Sequence, residues 1–210
     1  LQCEPAIAAG FPRMPFTPPH AAPAASPSEP PLYTAAVPRC LDALQRLHDW
    51  LTLAEAHAVR GATAIDAIDA IDAIMRTRPA ADMLPFGVQG QILVNLALRS
   101  TYPLAGLPRP DYGDFPDTPD GLRARIARAQ TLLRALAPAS FADAEQRQIV
   151  DRAGDADIAL PGARFLREFA LPNLYFHLAA AYIALRGAGV PLGKADFDGL
   201  HVYPPPAGRE

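Results

Sequence analysis

Two polar side chains, Asn173 and His177, interrupt an otherwise apolar or aromatic run over residues 169–185. Being four positions apart, they share one face if the run is helical. Pro172 would leave the carbonyl of Glu168 without its usual donor and bend the helix beside them. Because imidazole can serve as acid, base or hydrogen-bond donor near neutral pH, His177 is the candidate catalytic residue of a small-molecule pocket. The alternative is a buried polar network whose members only pair with one another.

The surrounding elements follow from the spacing of apolar residues. They predict helices over residues 37–58, 86–104, 120–136 and 165–186. His57 falls near the end of the first helix, on a flanking apolar stripe, and Gln89 falls in the first turn of the second. The arginines of the third helix are most simply a solvated face. The last helix is apolar on nearly every side, so other helices or a second subunit must cover it, which predicts a bundle and favours a homodimer.

Outside these helices the chain is less regular. Residues 1–31 form a Pro- and Ala-rich tail that we expect to be disordered, residues 32–202 form the helical domain, and residues 203–210 form a loose end. The repeat AIDAIDAIDAI in residues 64–74 is most simply a solvated helical turn or a loop insertion. Calcium binding by its aspartates is a weaker alternative, since the repeat lacks a turn glycine. Residues 141–160 predict a short hairpin or ordered loop before the last helix.

Composition limits the function classes. The 210 residues carry a formal net charge of −3 with 20% charged side chains, so no basic surface suggests nucleic acid as a partner. The apolar run at 169–185 is short and contains Pro, Asn and His, which argues against a membrane span. With two distant cysteines and neither a basic leader nor a continuous apolar run at the start, the sequence favours the cytoplasm. It contains no Gly-rich phosphate loop, Cys-x-x-Cys, His-Glu-x-x-His or Gly-x-Ser-x-Gly motif.

The segment LPNLYFHLAAAYIALRGAGVPLGKADFDG, residues 171–199, resembles the C-terminal signature of a bacterial family of unknown function. That family belongs to the DinB/YfiT-like superfamily of four-helix bundles. Two further motifs agree, Ala36-Val37-Pro38 and Asp82-Met83-Leu84-Pro85. The signature positions that match are Pro172, Asn173, Tyr175, Phe176, His177, Tyr182, Leu185, Arg186, Gly193, Lys194, Asp196 and Phe197.

This resemblance implies an all-α, up-down-down-up four-helix bundle. Its topology would gather His57, Gln89, Asn173 and His177 into a ligand pocket, with Tyr175 beside them. Metal-binding relatives use three histidines to hold a divalent ion such as zinc or nickel, two of them spaced i, i+4 on the last helix. The matching positions here are Asn173 and His177, so only His57 and His177 remain as metal ligands, and the missing third histidine disfavours the ion.

Three functions therefore stay open. The first is an uncharacterised bundle protein that binds a small molecule beside Asn173 and His177. The second is a metal-dependent thiol transferase of the superfamily type, in which the ion would activate a thiol. The third is a non-enzymatic homodimeric interaction protein. The sequence does not decide whether the protein is an enzyme.

Overall fold

The computed structural model of the protein describes residues 29–60 and 63–201. The predicted tails, 1–31 and 203–210, therefore lie almost wholly outside the described residues. The helices are α1 (Pro31–Ala58), α2 (Ala64–Arg76), α3 (Phe86–Thr101), α4 (Pro119–Arg134), α5 (Gly162–Arg164), α6 (Leu171–Gly187) and α7 (Lys194–Asp198). A π-helical segment, Phe165–Ala170, joins α5 to α6, and a 3₁₀ turn, Pro138–Phe141, follows α4. The strands are β1 (Gln148–Ala153) and β2 (Ala156–Pro161).

Helices α1, α3, α4 and α6 pack around one apolar core. Trp50 of α1 packs against Tyr182 of α6, and His57, later on α1, lies beside Gly189, just after α6. Because the contacting positions advance in the same direction along both helices, α1 and α6 are parallel. Helix α3 runs antiparallel to α6, and α4 runs antiparallel to α1. The chain thus goes up, down, down and up, and the predicted all-α fold is confirmed.

Helix α1 begins at Pro31 and not at residue 37 as predicted, so Pro38 lies inside the helix rather than in its first turn. The two extra turns form because they have something to pack on. Leu32 is buried, and the ring of Tyr33 meets that of Phe141 edge to face at 5.4 Å. Tertiary packing here outweighs the helix-breaking tendency of proline.

The isoleucine–aspartate repeat forms a full helix, α2, rather than a single turn or a loop. Its start is fixed by a capping box: the backbone N–H of Asp66 donates to Oγ1 of Thr63, and the Asp66 carboxylate accepts from the Thr63 backbone. Ile74 is buried, whereas Ile65 and Ile68 are exposed to solvent. The period of three therefore does drift around the helix, and only its C-terminal part packs against the core.

The predicted hairpin before the last helix is present. Strands β1 and β2 pair antiparallel around Gly154, which has a φ of +61° that favours glycine. Arg99 on α3 binds the Asp151 carboxylate of β1 through Nε and Nη2, each at 2.7 Å. This bidentate ion pair ties the hairpin to the helices.

The last helical run changes character at Pro172. The backbone is π-helical until Ala170, and Pro172 stands in the first turn of α6, where its missing N–H costs little. The backbone thus changes its hydrogen-bonding pattern just before Pro172, and the expected bend stays a prediction. The described chain covers only part of this helix, so coverage of the rest by a second subunit stays a prediction. Phe176 is 56% exposed and Ile183 is 52% exposed, while Leu174 and Leu178 are buried. Among the described residues, no helix combines the length and apolarity that a membrane crossing requires.

Candidate functional site

The structure brings Gln89 and His177 into direct contact, as their places on antiparallel helices allow. Nδ1 of His177 lies 2.7 Å from Oε1 of Gln89, and Nε2 of Gln89 donates to the carbonyl of Leu84 at 3.1 Å. Gln89 is only 1% exposed. The segment before α3, the first turn of α3 and the middle of α6 therefore form one hydrogen-bonded chain.

This chain determines which nitrogen of His177 carries the proton. The carbonyl of Leu84 can only accept, so the Gln89 amide must present its nitrogen to Leu84 and its oxygen to His177. That oxygen also can only accept, so Nδ1 of His177 is the protonated nitrogen. In the neutral imidazole Nε2 then holds a lone pair, and it has no hydrogen-bond partner among the described residues. Partial burial lowers the pKa of His177 below its ordinary 6.5, which favours the neutral form at pH 7.

Asn173 lies one turn before His177 but bonds elsewhere. Its Nδ2 donates to the carbonyl of Phe169 at 2.6 Å, where the backbone changes from the π segment to α6. The sequence predicted that Pro172 leaves the carbonyl of Glu168 without a donor, and the carbonyl of Phe169 is the next one along the chain. Oδ1 of Asn173 has no hydrogen-bond partner among the described residues. The sequence analysis placed Tyr175 in the same pocket. Tyr175 is 37% exposed and stands two positions from both Asn173 and His177, so it lies on another face of α6.

His57 is not brought to this group. A β-carbon built on Gly189 would lie 3.6 Å from Nε2 of His57, which places His57 beside the turn that follows α6. His177 stands ten residues before Gly187, a rise of roughly 15 Å. The parallel packing of α1 and α6 causes this separation, because His57 is level with the end of α6 and not with its middle. His57 instead lines a cavity of about 340 Å³ with residues of α2, and its Nδ1 is buried without a partner in the described chain.

A resident metal ion does not fit the side chains of the described residues. Two ligand atoms of one zinc ion lie within roughly 4 Å of each other. The imidazole rings of His57 and His177 are much farther apart than that. In residues 29–60 and 63–201 no group of three or more His, Cys, Asp or Glu side chains is arranged to hold an ion. Cys40 offers no substitute, because it is fully buried and burial raises the pKa of its thiol to about 12.

Sequence reasoning missed a second set of polar residues. Arg125 of α4 was assigned to a solvated face, but it lines a cavity of about 610 Å³ together with side chains of α3 and of the loop between α3 and α4. A signal for it was present in the sequence, since the loop carries two aromatic residues, Tyr112 and Phe115, that can stack on a guanidinium.

Comparison with known proteins agrees with this fold. The chain resembles the crystal structure of a DinB family member protein from Shewanella denitrificans with a TM-score of 0.70 and 33% sequence identity, over 83% of this chain and 96% of that one. No curated protein matches significantly. The family described as "Domain of unknown function (DUF1993)" matches residues 32–198, most of the chain. This protein is therefore a member of the DUF1993 family, with a DinB-like all-α fold.

Proposed function

We propose that this protein binds a small protic molecule, an alcohol or a thiol, at Nε2 of His177. The observation that carries the proposal is the 2.7 Å contact between Nδ1 of His177 and Oε1 of Gln89, with the amide held in turn by Leu84. It orients the imidazole and leaves the Nε2 lone pair as an acceptor. A ligand that donates an O–H or S–H hydrogen bond is complementary to that atom.

The same geometry suits proton transfer. A neutral imidazole with a lowered pKa can accept a proton from a bound thiol, and the imidazolium that forms keeps its Nδ1–H bond to Gln89. The ring of Phe176 meets the His177 ring edge to face at 5.1 Å and forms an apolar wall beside it. Asn173 lies one turn away, with an amide oxygen that can accept a second hydrogen bond from a ligand.

The test is nitrogen NMR of protein labelled with ¹⁵N-histidine. In the free protein we expect His177 to show a protonated Nδ1 and an unprotonated Nε2. Titration with 1-butanethiol or 1-butanol should shift the Nε2 resonance of His177, and the His177→Gln variant should lose binding while the matched His48→Gln variant keeps it. Saturating probe that leaves the His177 resonances unmoved, or binding that survives His177→Gln, would overturn the proposal.

The metal-dependent transferase is tested separately. Elemental mass spectrometry of untagged protein, native and His177→Ala, should find zinc and nickel well below one ion per chain in both, because the donor set does not fit. A near-stoichiometric ion that disappears in the variant would favour the transferase instead.

A second candidate function is self-association through α6. The two exposed side chains Phe176 and Ile183 stand seven positions apart and therefore share a face. A stripe of this kind can pack on its own copy across a two-fold axis. We expect sedimentation equilibrium to show a dimer that Ile183→Ser weakens and that Val150→Ser, at a still more exposed apolar position on β1, does not. A strict monomer at high concentration would contradict this candidate.

A further inference from the structure

The larger of the two cavities introduced above lies between α3, α4 and the loop at residues 109–113. Its volume, about 610 Å³, is in the range of small-molecule sites. It shares no lining residue with the His177 site. We name it the arginine cleft, after the three arginines that line it, Arg99, Arg109 and Arg125.

The three guanidinium groups have different surroundings. Arg99 is matched by Asp151 of β1 and also donates to the carbonyl of Arg152, so its charge is already balanced. Arg125 donates to the hydroxyl of Tyr112 at 3.1 Å but has no carboxylate partner among the described residues. Arg109 has neither a carboxylate nor any other hydrogen-bond partner in that part of the chain.

One carboxylate, that of Asp111, also lines the arginine cleft. Its Oδ1 accepts the backbone N–H of Gly113 at 3.1 Å. Two unmatched guanidinium groups against one carboxylate leave the arginine cleft with a net positive charge of one. Positive charge without a protein partner inside a concave surface attracts an anion.

Contacts within the protein hold Arg125 and Tyr112 in place, whereas Arg109 and Asn95 are exposed. The guanidinium of Arg125 lies 5.7 Å from the ring centre of Tyr112 and 5.3 Å from that of Phe115, within the range of cation–π attraction. The Tyr112 hydroxyl donates to Oδ1 of Asn95, so it is already used by the protein. That bond leaves the amide nitrogen of Asn95 as a free donor.

The open hydrogen-bonding groups in the arginine cleft are therefore mostly donors, namely the N–H groups of Arg109, Arg125 and Asn95. Apolar side chains, Ile92 and Leu96, line the α3 side. We propose that the arginine cleft binds a small organic oxyanion, with its carboxylate or phosphate held by the two unmatched arginines and its apolar part on α3. A guanidinium fork matches either head group in a bidentate manner.

Isothermal titration calorimetry at low ionic strength tests this site with benzoate and phenyl phosphate as probes and benzamide as the uncharged control. We expect saturable binding of at least one anion, weaker by about 10- to 100-fold in Arg109→Gln and in Arg125→Gln, since each removes charge-assisted hydrogen bonds. Arg134→Gln, which changes an exposed arginine of α4 outside the arginine cleft, should bind like the native protein. The stronger of the two anions identifies the head group.

Arg109→Gln is the critical variant, because Arg109 makes no described contact that folding would need, and an unchanged melting temperature confirms that the variant is intact. Equal affinity of Arg109→Gln and Arg134→Gln would overturn the proposal. So would benzamide binding as tightly as benzoate, or the absence of binding by both anions. His177→Gln should leave anion binding unchanged, so failure at one site is distinguishable from failure at the other.

Discussion

Gln89 is the side chain on which the geometry of the His177 site depends. It is buried, donates to the carbonyl of Leu84 and accepts from His177. Gln89→Leu should lower the free energy of unfolding by about 1–3 kcal/mol, because it leaves a carbonyl and an imidazole N–H without partners. For a chain of this length that corresponds to roughly 2–12 °C in melting temperature, measured by calorimetry. A variant as stable as the native protein would show that water replaces the amide without loss.

His57 provides the opposite case, because its Nδ1 is buried and has no described partner. His57→Leu removes that unpaired atom and keeps much of the volume. We expect the free energy of unfolding to stay unchanged or to rise by up to about 1 kcal/mol, since a desolvated polar group without a partner is a cost to the folded state. Urea unfolding measures the difference. A loss comparable to that of Gln89→Leu would mean that His57 has a partner in the folded protein.

Among the helices, the start of α5 leaves no room for a side chain at Gly162. A β-carbon there would lie 1.9 Å from the carbonyl oxygen of Ala144 and 3.0 Å from a methyl of Leu104. Gly162→Ala should therefore shift the hairpin against the end of α3 and cost about 1–3 kcal/mol or more. Gly187→Ala is the matched control, because a β-carbon at the end of α6 meets nothing within 4 Å.

The control should be neutral or stabilising by up to about 1 kcal/mol, because alanine has the higher helix propensity. Urea unfolding of both variants gives the comparison. If both lose the same stability, the loss at Gly162 does not come from the crowding at Ala144.

The helices were predictable from the sequence to different degrees. Apolar periodicity located α3, α4 and α6 and the hairpin before α6, because those segments bury one face or pair locally. It placed the start of α1 too late, since the packing of Tyr33 on Phe141 joins positions over a hundred residues apart. The repeat was also misjudged, because a three-residue period gives no strong face, while the capping box of Thr63 and Asp66 fixes the helix start.

The site residues were partly predictable for the same reason. The contact of Gln89 with His177 follows from the antiparallel packing of α3 and α6, which the four-helix-bundle topology predicts. The distance of His57 depends on how far α1 extends relative to α6, and the arginine cleft depends on how the loop at residues 109–113 folds back on α3. Neither quantity is encoded in a local pattern.

For the molecule as a whole, stability should depend on pH in two separate intervals. Burial lowers the pKa of His177 below 6.5, so the unfolded chain binds more protons at this residue than the folded chain does. The contribution of His177 to the free energy of unfolding is then fully present above pH 6.5 and is lost as the pH drops from 6.5 toward the lowered pKa. The ion pair of Glu168 with Arg164, and with Arg167, lowers the pKa of Glu168 to about 2. Its contribution is complete above 4.5 and disappears as the pH falls from there toward 2.

His177→Gln separates the two intervals. It should flatten the loss of stability that begins below pH 6.5 and leave the carboxylate-dependent loss below pH 4.5 in place. Glu168→Gln should reduce only the second loss, to which Asp66 and Asp198 also contribute because hydrogen bonds lower their pKa values as well. Urea unfolding at half-unit steps of pH measures both, with His48→Gln as the control for a histidine away from the site. A His177→Gln curve that parallels the native curve above pH 4.5 would show that His177 ionises alike in the folded and unfolded chains. The Nε2 lone pair on which the proposed ligand site depends would then not be favoured by folding.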